Sequence, residues 1–235
     1  MNYKRQLKSF NLNTVATISL VMFLVSFIAF SLINLSLENK LLLTGKVYLD
    51  VIISILMLAV LLVIHELLHA ISAVIFGKLT FKDIKLGANL KQGMIYCHIK
   101  KPLKINAYRI SIILPIIITG IIPLVISAIF GNLFLVAVFS FMVSGGAGDI
   151  VMFFSLSGID SHTLIEDHPK ALAYYLLYEN GKEPKNFIEC TKEQQEEVSL
   201  AMQGGKSTIK VLLIAIFCGL VVLVIYLSAL LMKIF

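Results

Sequence analysis

Uninterrupted apolar runs constrain this chain more than any other feature. Five stretches, at roughly 14–36, 48–76, 108–130, 132–157 and 209–234, meet the requirement of about 20 apolar residues for a helix to cross a hydrocarbon layer. Of the 235 residues, 58% are hydrophobic and only 14% charged, whereas an ordinary soluble domain is about a quarter charged. A soluble globule is therefore excluded. The pattern predicts an all-α polytopic membrane protein with about five transmembrane helices. The first run follows Lys4, Arg5 and Lys8, as the core of a signal peptide would. It is too long for such a core and no small-residue cleavage site follows, so it reads as a retained anchor.

The net charge of +6 could point to nucleic acid, but its distribution points to topology. Seventeen of the 20 Lys and Arg fall in the N-terminal tail, in 77–109 and in 158–210, leaving only Lys40, Lys46 and Lys233. Basic loops stay in the cytoplasm. The expectation is a multi-pass cell-membrane protein with its N-terminus cytoplasmic, its C-terminus outside, a lipid bilayer around it and no nucleic-acid partner. Cys97, Cys190 and Cys218 are scattered, with no CxxC spacing, and are expected to stay reduced.

Between the spans, Thr80–Ile99 alternates loosely between apolar and polar residues around Gly87-Ala88-Asn89 and Gly93. This predicts a small cytoplasmic β-hairpin at about 80–101. Span three carries Pro115, Gly120 and Pro123; such breaks are tolerated where neighbours satisfy the freed backbone. In the tail, Asp167-His168-Pro169 predicts a helix start, and Thr191-Lys192-Glu193-Gln194 a capping box for a second helix. The expected organisation is a membrane core over 1–157, a short helical cytoplasmic region over 158–208, and a C-terminal transmembrane helix over 209–235.

The chemistry sits in His65-Glu66-Leu67-Leu68-His69, inside span two. Residues four apart share a helix face, so His65 and His69 can aim two imidazoles at one ion, a donor set that suits Zn2+. Glu66 stands one position on, in reach of a water on that ion, as a general base. Each ionisable group at membrane depth costs about 2.5–3.5 kcal/mol. Three titratable residues within five positions of an apolar run therefore need a partner or a purpose, and a metal supplies both.

A catalytic zinc site takes three protein ligands. Asp149 is the only acid inside span four, in Ser144-Gly145-Gly146-Ala147-Gly148-Asp149. His65 and Asp149 each lie eighteenth from the outer end of their spans, hence at similar depth, within about 5 Å. The plainer alternative is small-residue packing with Asp149 at a helix end. His98 on the hairpin and Pro115 in span three are candidate substrate contacts. His162, Glu166, Asp167 and His168 lie in the tail; they could fold back toward the metal, or Asp167 and His168 could only start a helix. Gly205-Lys206-Ser207-Thr208 lacks the first glycine of a phosphate loop, and no serine sits in a nucleophile elbow.

The ordered set of HExxH in a span, a short extended segment, Pro115, Gly148-Asp149 and Asp167-His168-Pro169 resembles the bacterial putative zincin peptidases, over about residues 60–170. That family is in turn similar to site-2 proteases, which cut membrane-embedded substrates with HExxH on one helix and an aspartate on a later one. The resemblance implies a zinc metalloprotease acting on peptide or membrane-protein substrates, with Asp149 as third ligand and the active site toward the cytoplasmic side. The sequence departs from the site-2 pattern in having Gly148 before Asp149 and Ile150 after it, and no PDZ insertion is seen. Two other classes stay open. A non-enzymatic metal-binding adaptor or sensor requires a closed fourth position, filled for example by His98 or Cys97. An ion transporter predicts inverted repeats, and none is found.

Overall fold

The computed structural model describes residues 3–34, 43–89, 94–169 and 171–204. In chain order they form β1 (Tyr3–Ser9), α1 (Leu12–Asn34), α2 (Val47–Gly77), β2 (Ile84–Asn89), β3 (Met94–Ile99), β4 (Leu103–Lys104), α3 (Ile105–Ile116), a π-helical stretch (Ile117–Ile121), α4 (Ile122–Ile129), α5 (Leu133–Gly145), α6 (Ala147–Ser155), β5 (Leu164–Asp167), β6 (Ala173–Glu179) and α7 (Lys192–Gly204). The chain divides into two compact units. The first comprises Met1–Val15, Glu66–Leu114 and Gly148–Lys206; the second comprises Ala16–His65, Pro115–Ala147 and Ser207–Phe235.

The first unit is built on an antiparallel sheet in the order β1-β6-β5-β4. Strand β6, Ala-Tyr-Tyr-Leu-Leu-Tyr-Glu, is buried along most of its length, as a central strand covered on both faces must be. Tyr174, Leu176, Ile165, Leu156 and Ile105 are fully buried there in one cluster. Each stabilises the unit by about 1.5–3 kcal/mol. The basic N-terminus is strand rather than tail: Tyr3 to Ser9 pair with Glu179 to Ala173, and Lys4 and Arg5 form ion pairs with Glu183 (2.9 Å) and Glu166 (3.1 Å).

A separate hairpin, β2–β3, pairs Ile84 with Ile99 and Leu86 with Cys97. Asp83 clamps its base. The carboxylate accepts from Thr80 N–H (3.0 Å) and Thr80 Oγ1 (2.8 Å) and pairs with Lys101 (2.8 Å). The Asp83 carbonyl accepts from Lys100 N–H (2.8 Å). The Lys101 ammonium, then the Thr80 donors, bring the Asp83 carboxyl down to about 2.

The second unit is helical. Leu124, Val136 and Val143 pack with Met22, Phe27 and Phe30, and Phe134 and Ala137 pack with Met57 and Leu58. Helices α4 and α5 are joined by Gly131, whose φ of +67° a side chain would strain; Asn132 then caps α5 by accepting from Leu135 N–H (3.0 Å). Asp50, an acid in the first turn of α2, is buried but fully engaged by Leu43 N–H, Thr44 N–H and Thr44 Oγ1. Outward-facing apolar side chains such as Val25, Ile55, Leu56 and Val60 are about 60% exposed. Water would penalise such a surface and hydrocarbon would not.

Three helical stretches are long and apolar enough to cross a membrane: Leu12–Ile33, Tyr48–Gly77 and Ile105–Ile129. The expected fourth span is instead two helices, α5 and α6, bent by 43°. The expected fifth, 209–234, lies outside the described residues. The all-α expectation is corrected by the sheets. In the tail, the helix expected from Asp167 is replaced by β5 and β6, because Leu164, Ile165 and the apolar run 173–177 satisfy their main-chain groups across β4 and β1. The same pairings put residues 164–179 in one unit with the N-terminal strand. The second tail helix does form: Thr191 and Gln194 cap each other at 3.2 Å at the start of α7.

Candidate metal centre

Helix α2 carries His65, Glu66 and His69 on adjacent turns. One ligand atom from each lies within 4.8 Å of the others, as i, i+4 spacing requires of side chains on one face. Both histidines are buried.

Each imidazole is held by its Nδ1 atom. His65 Nδ1 lies 3.2 Å from Thr119 Oγ1, and the Thr119 hydroxyl itself donates to the Pro115 carbonyl (2.8 Å). With its proton committed, that oxygen accepts from the imidazole. His69 Nδ1 lies 2.8 Å from the Ser111 carbonyl, which can only accept. In its neutral form each ring then carries its hydrogen on Nδ1, and Nε2 is the atom that would meet a metal. This is the tautomer in which outer-shell partners hold metal-ligating histidines.

Pro115 explains both contacts. Ser111 is four residues before it, and proline has no N–H to return to that carbonyl. The Ser111 carbonyl is thereby freed from the helix ladder for His69. One turn later the helix widens into the π-helical stretch Ile117–Ile121, a distortion frequent at functional sites, and Thr119 lies on it. Gly120, in the same stretch, passes so close to Val143 that a Cβ would meet it at 3.0 Å. Pro115 itself is fully buried. The expected substrate contact is thus an internal residue that acts through Ser111 and Thr119.

Asp149 sits in the first turn of α6, just after the break at Gly146. Its Oδ1 is 3.6 Å from His69 Nε2. The carboxylate of Asp149 thus stands beside His69, outside the group formed by His65, Glu66 and His69. His98 is half-buried on β3, with Nδ1 buried and without a hydrogen-bond partner among the described residues. His162 is exposed, Glu166 is taken by Arg5, and His168 packs its ring against Tyr175.

Ser72, Ser111 and Tyr108, which the sequence did not single out, complete the surroundings together with Asp167. Ser111 Oγ donates to the His69 carbonyl (3.0 Å), and Ser72 Oγ approaches Ser111 Oγ (3.1 Å). Asp167 accepts from Tyr108 OH (2.6 Å) and from Ile99 N–H (2.9 Å). Thr119 and Ser111 both stand four residues from Pro115, which is the signal that would have found them. No curated protein and no solved structure matches the chain. Residues 58–163, which contain His65, Glu66, His69 and Asp149, match the family described as "Putative zincin peptidase".

Proposed function

We propose that this protein is a membrane-embedded, zinc-dependent endopeptidase that hydrolyses peptide bonds of membrane or membrane-associated proteins. The observation that carries the reading is the cluster of His65, Glu66 and His69, one ligand atom of each within 4.8 Å of the others, with each imidazole held at its Nδ1. The helices of membrane-crossing length and the family match support it. Zinc would be held by His65, His69 and Asp149. When bound, it supplies Lewis acidity that polarises a scissile carbonyl and acidifies a water.

The residues do the rest. Thr119 and the Ser111 carbonyl fix the rotation of each imidazole, so little reorganisation is needed on ligand exchange. Glu66 accepts the proton of the attacking water at its carboxylate and returns it to the leaving amine. An extended substrate pairs with the open edge of β3, as peptides do with unpaired strands. The placement of Lys and Arg supports a site facing the cytoplasm.

Glu66→Gln is the test. The variant is expected to keep stoichiometric zinc in the purified protein and to lose hydrolysis by at least about 100-fold. A variant that still cleaves at the wild-type rate removes Glu66 from the mechanism. A wild-type protein that takes up no zinc removes the metallopeptidase reading altogether.

A further inference from the structure

Among the described residues, strand β3 has a strand partner on one side only, β2. Across that pair the Lys100 N–H donates to the Asp83 carbonyl. Alternation then turns the main-chain groups of Ile99, Cys97 and Ile95 to the opposite, open edge. The open edge is held at its end by a side chain from another strand: Ile99 N–H donates to Asp167 Oδ2 at 2.9 Å. The other oxygen, Oδ1, receives the Tyr108 hydroxyl at 2.6 Å. Asp167 thus joins the end of β5, the edge of β3 and the body of α3 at one carboxylate.

The joint has a particular place on α3. Tyr108 is one turn before Ser111, whose carbonyl orients His69. A single helix therefore holds a metal-facing imidazole through Ser111 and the hairpin edge through Tyr108 and Asp167. Cys97, the next residue along that edge whose main chain faces outward, lies within electrostatic reach of Glu66. Burial pushes its thiol up to about 12, and the charges of Glu66 and then Asp167 add to the rise. Asp167 is also an expensive choice for a strand cap. Burial pushes its carboxyl up, and among the described residues no Lys or Arg pairs with it. A buried carboxylate without a cation costs more than a neutral acceptor in the same place.

Resting on the peptidase reading above, we propose that Asp167 is a positioning residue that fixes the substrate-binding edge of β3 against α3, so that an extended peptide is presented to Glu66 at a set distance from the metal ligands. Two zinc-chelating probes separate this role from a general structural one. Acetohydroxamate touches only the metal site. A peptidyl hydroxamate must also lie along the strand edge.

In the full chain, purified in detergent with zinc, Asp167→Ala is expected to weaken the peptidyl hydroxamate about 10-fold. Acetohydroxamate affinity and zinc content stay within about 2-fold of wild type. Tyr108→Phe removes one of the two hydrogen bonds and is expected to give a smaller loss of the same selective kind. A parallel loss of both probes, a loss of zinc, or no loss in Asp167→Ala overturns the proposal. Wild-type protein that binds zinc but neither hydroxamate also overturns it, whereas wild-type protein that binds no zinc overturns the peptidase reading on which it rests.

Discussion

The two histidines of one motif are oriented by different kinds of group. His65 depends on a side chain, the Thr119 hydroxyl, carried by a widened turn of helix. His69 depends on a main-chain carbonyl, that of Ser111, which is free because proline stands four residues on. A side-chain anchor can be deleted by one substitution. A carbonyl anchor survives any change at its own position and is vulnerable only through the residue that freed it. The two imidazoles should therefore respond to mutation at different sites, although they serve one ion.

The largest effect is expected at Thr119. Thr119→Val keeps the shape and removes the acceptor, and should lower zinc affinity by about 10- to 100-fold, measured by competition with a chromogenic chelator. If affinity is unchanged, the hydroxyl does not orient His65 and the contrast collapses. A smaller effect separates Pro115 from Ser111. Pro115→Ala restores an N–H that competes for the Ser111 carbonyl and should weaken zinc by several-fold, up to about 10-fold. Ser111→Ala leaves that carbonyl in place and should change affinity by less than about 3-fold. The reverse order would mean that the Ser111 hydroxyl, not its carbonyl, is the anchor.

The smallest effect is on stability, in acid. Asp83 has its carboxyl lowered to about 2 in the folded chain, against 3.8 ordinarily. Its contribution is therefore fully present above about pH 4 and is lost as pH falls toward 2. Imidazole ligands must be neutral to bind metal, so zinc should leave at a higher pH than this clamp fails. Following zinc release and unfolding on one acid titration checks the order. In Lys101→Met the acid-side loss of stability above pH 2 should shrink, while the pH of zinc release stays put.

How far the sequence disclosed all this depends on what each residue does. His65, Glu66 and His69 were legible because helical spacing alone puts them on one face. Asp149, which lies beside His69, stood out as the single acid in an apolar run. The hairpin was legible from alternation. Pro115 was noticed as a break and assigned to substrate, because the sequence does not show which carbonyl a missing N–H releases or what claims it. The tail was misread for a related reason. Asp167-His168-Pro169 carries the local signals of a helix start, and pairing with β4, far back in the sequence, and with β6 makes Leu164–Asp167 a strand instead. The partners of Asp167 were hidden for the same reason, since its two donors, Ile99 and Tyr108, are 68 and 59 residues away.

The four-stranded sheet carries a constraint of parity. Strands that share hydrogen bonds lie on the same side of a bilayer, so the chain between any two of them must cross it an even number of times. From β1 to β4 the chain passes through α1 and α2, which makes two crossings on the membrane reading. From β4 to β5 it passes through the long helical stretch Ile105–Ile129 and then through the bent pair α5 and α6. If the bent pair dipped in and turned back, that leg would count one, and β4 could not meet β5. On that reading, the pairing of Leu103 with Ile165 requires an even count between β4 and β5, which the bent pair meets only as a complete traverse.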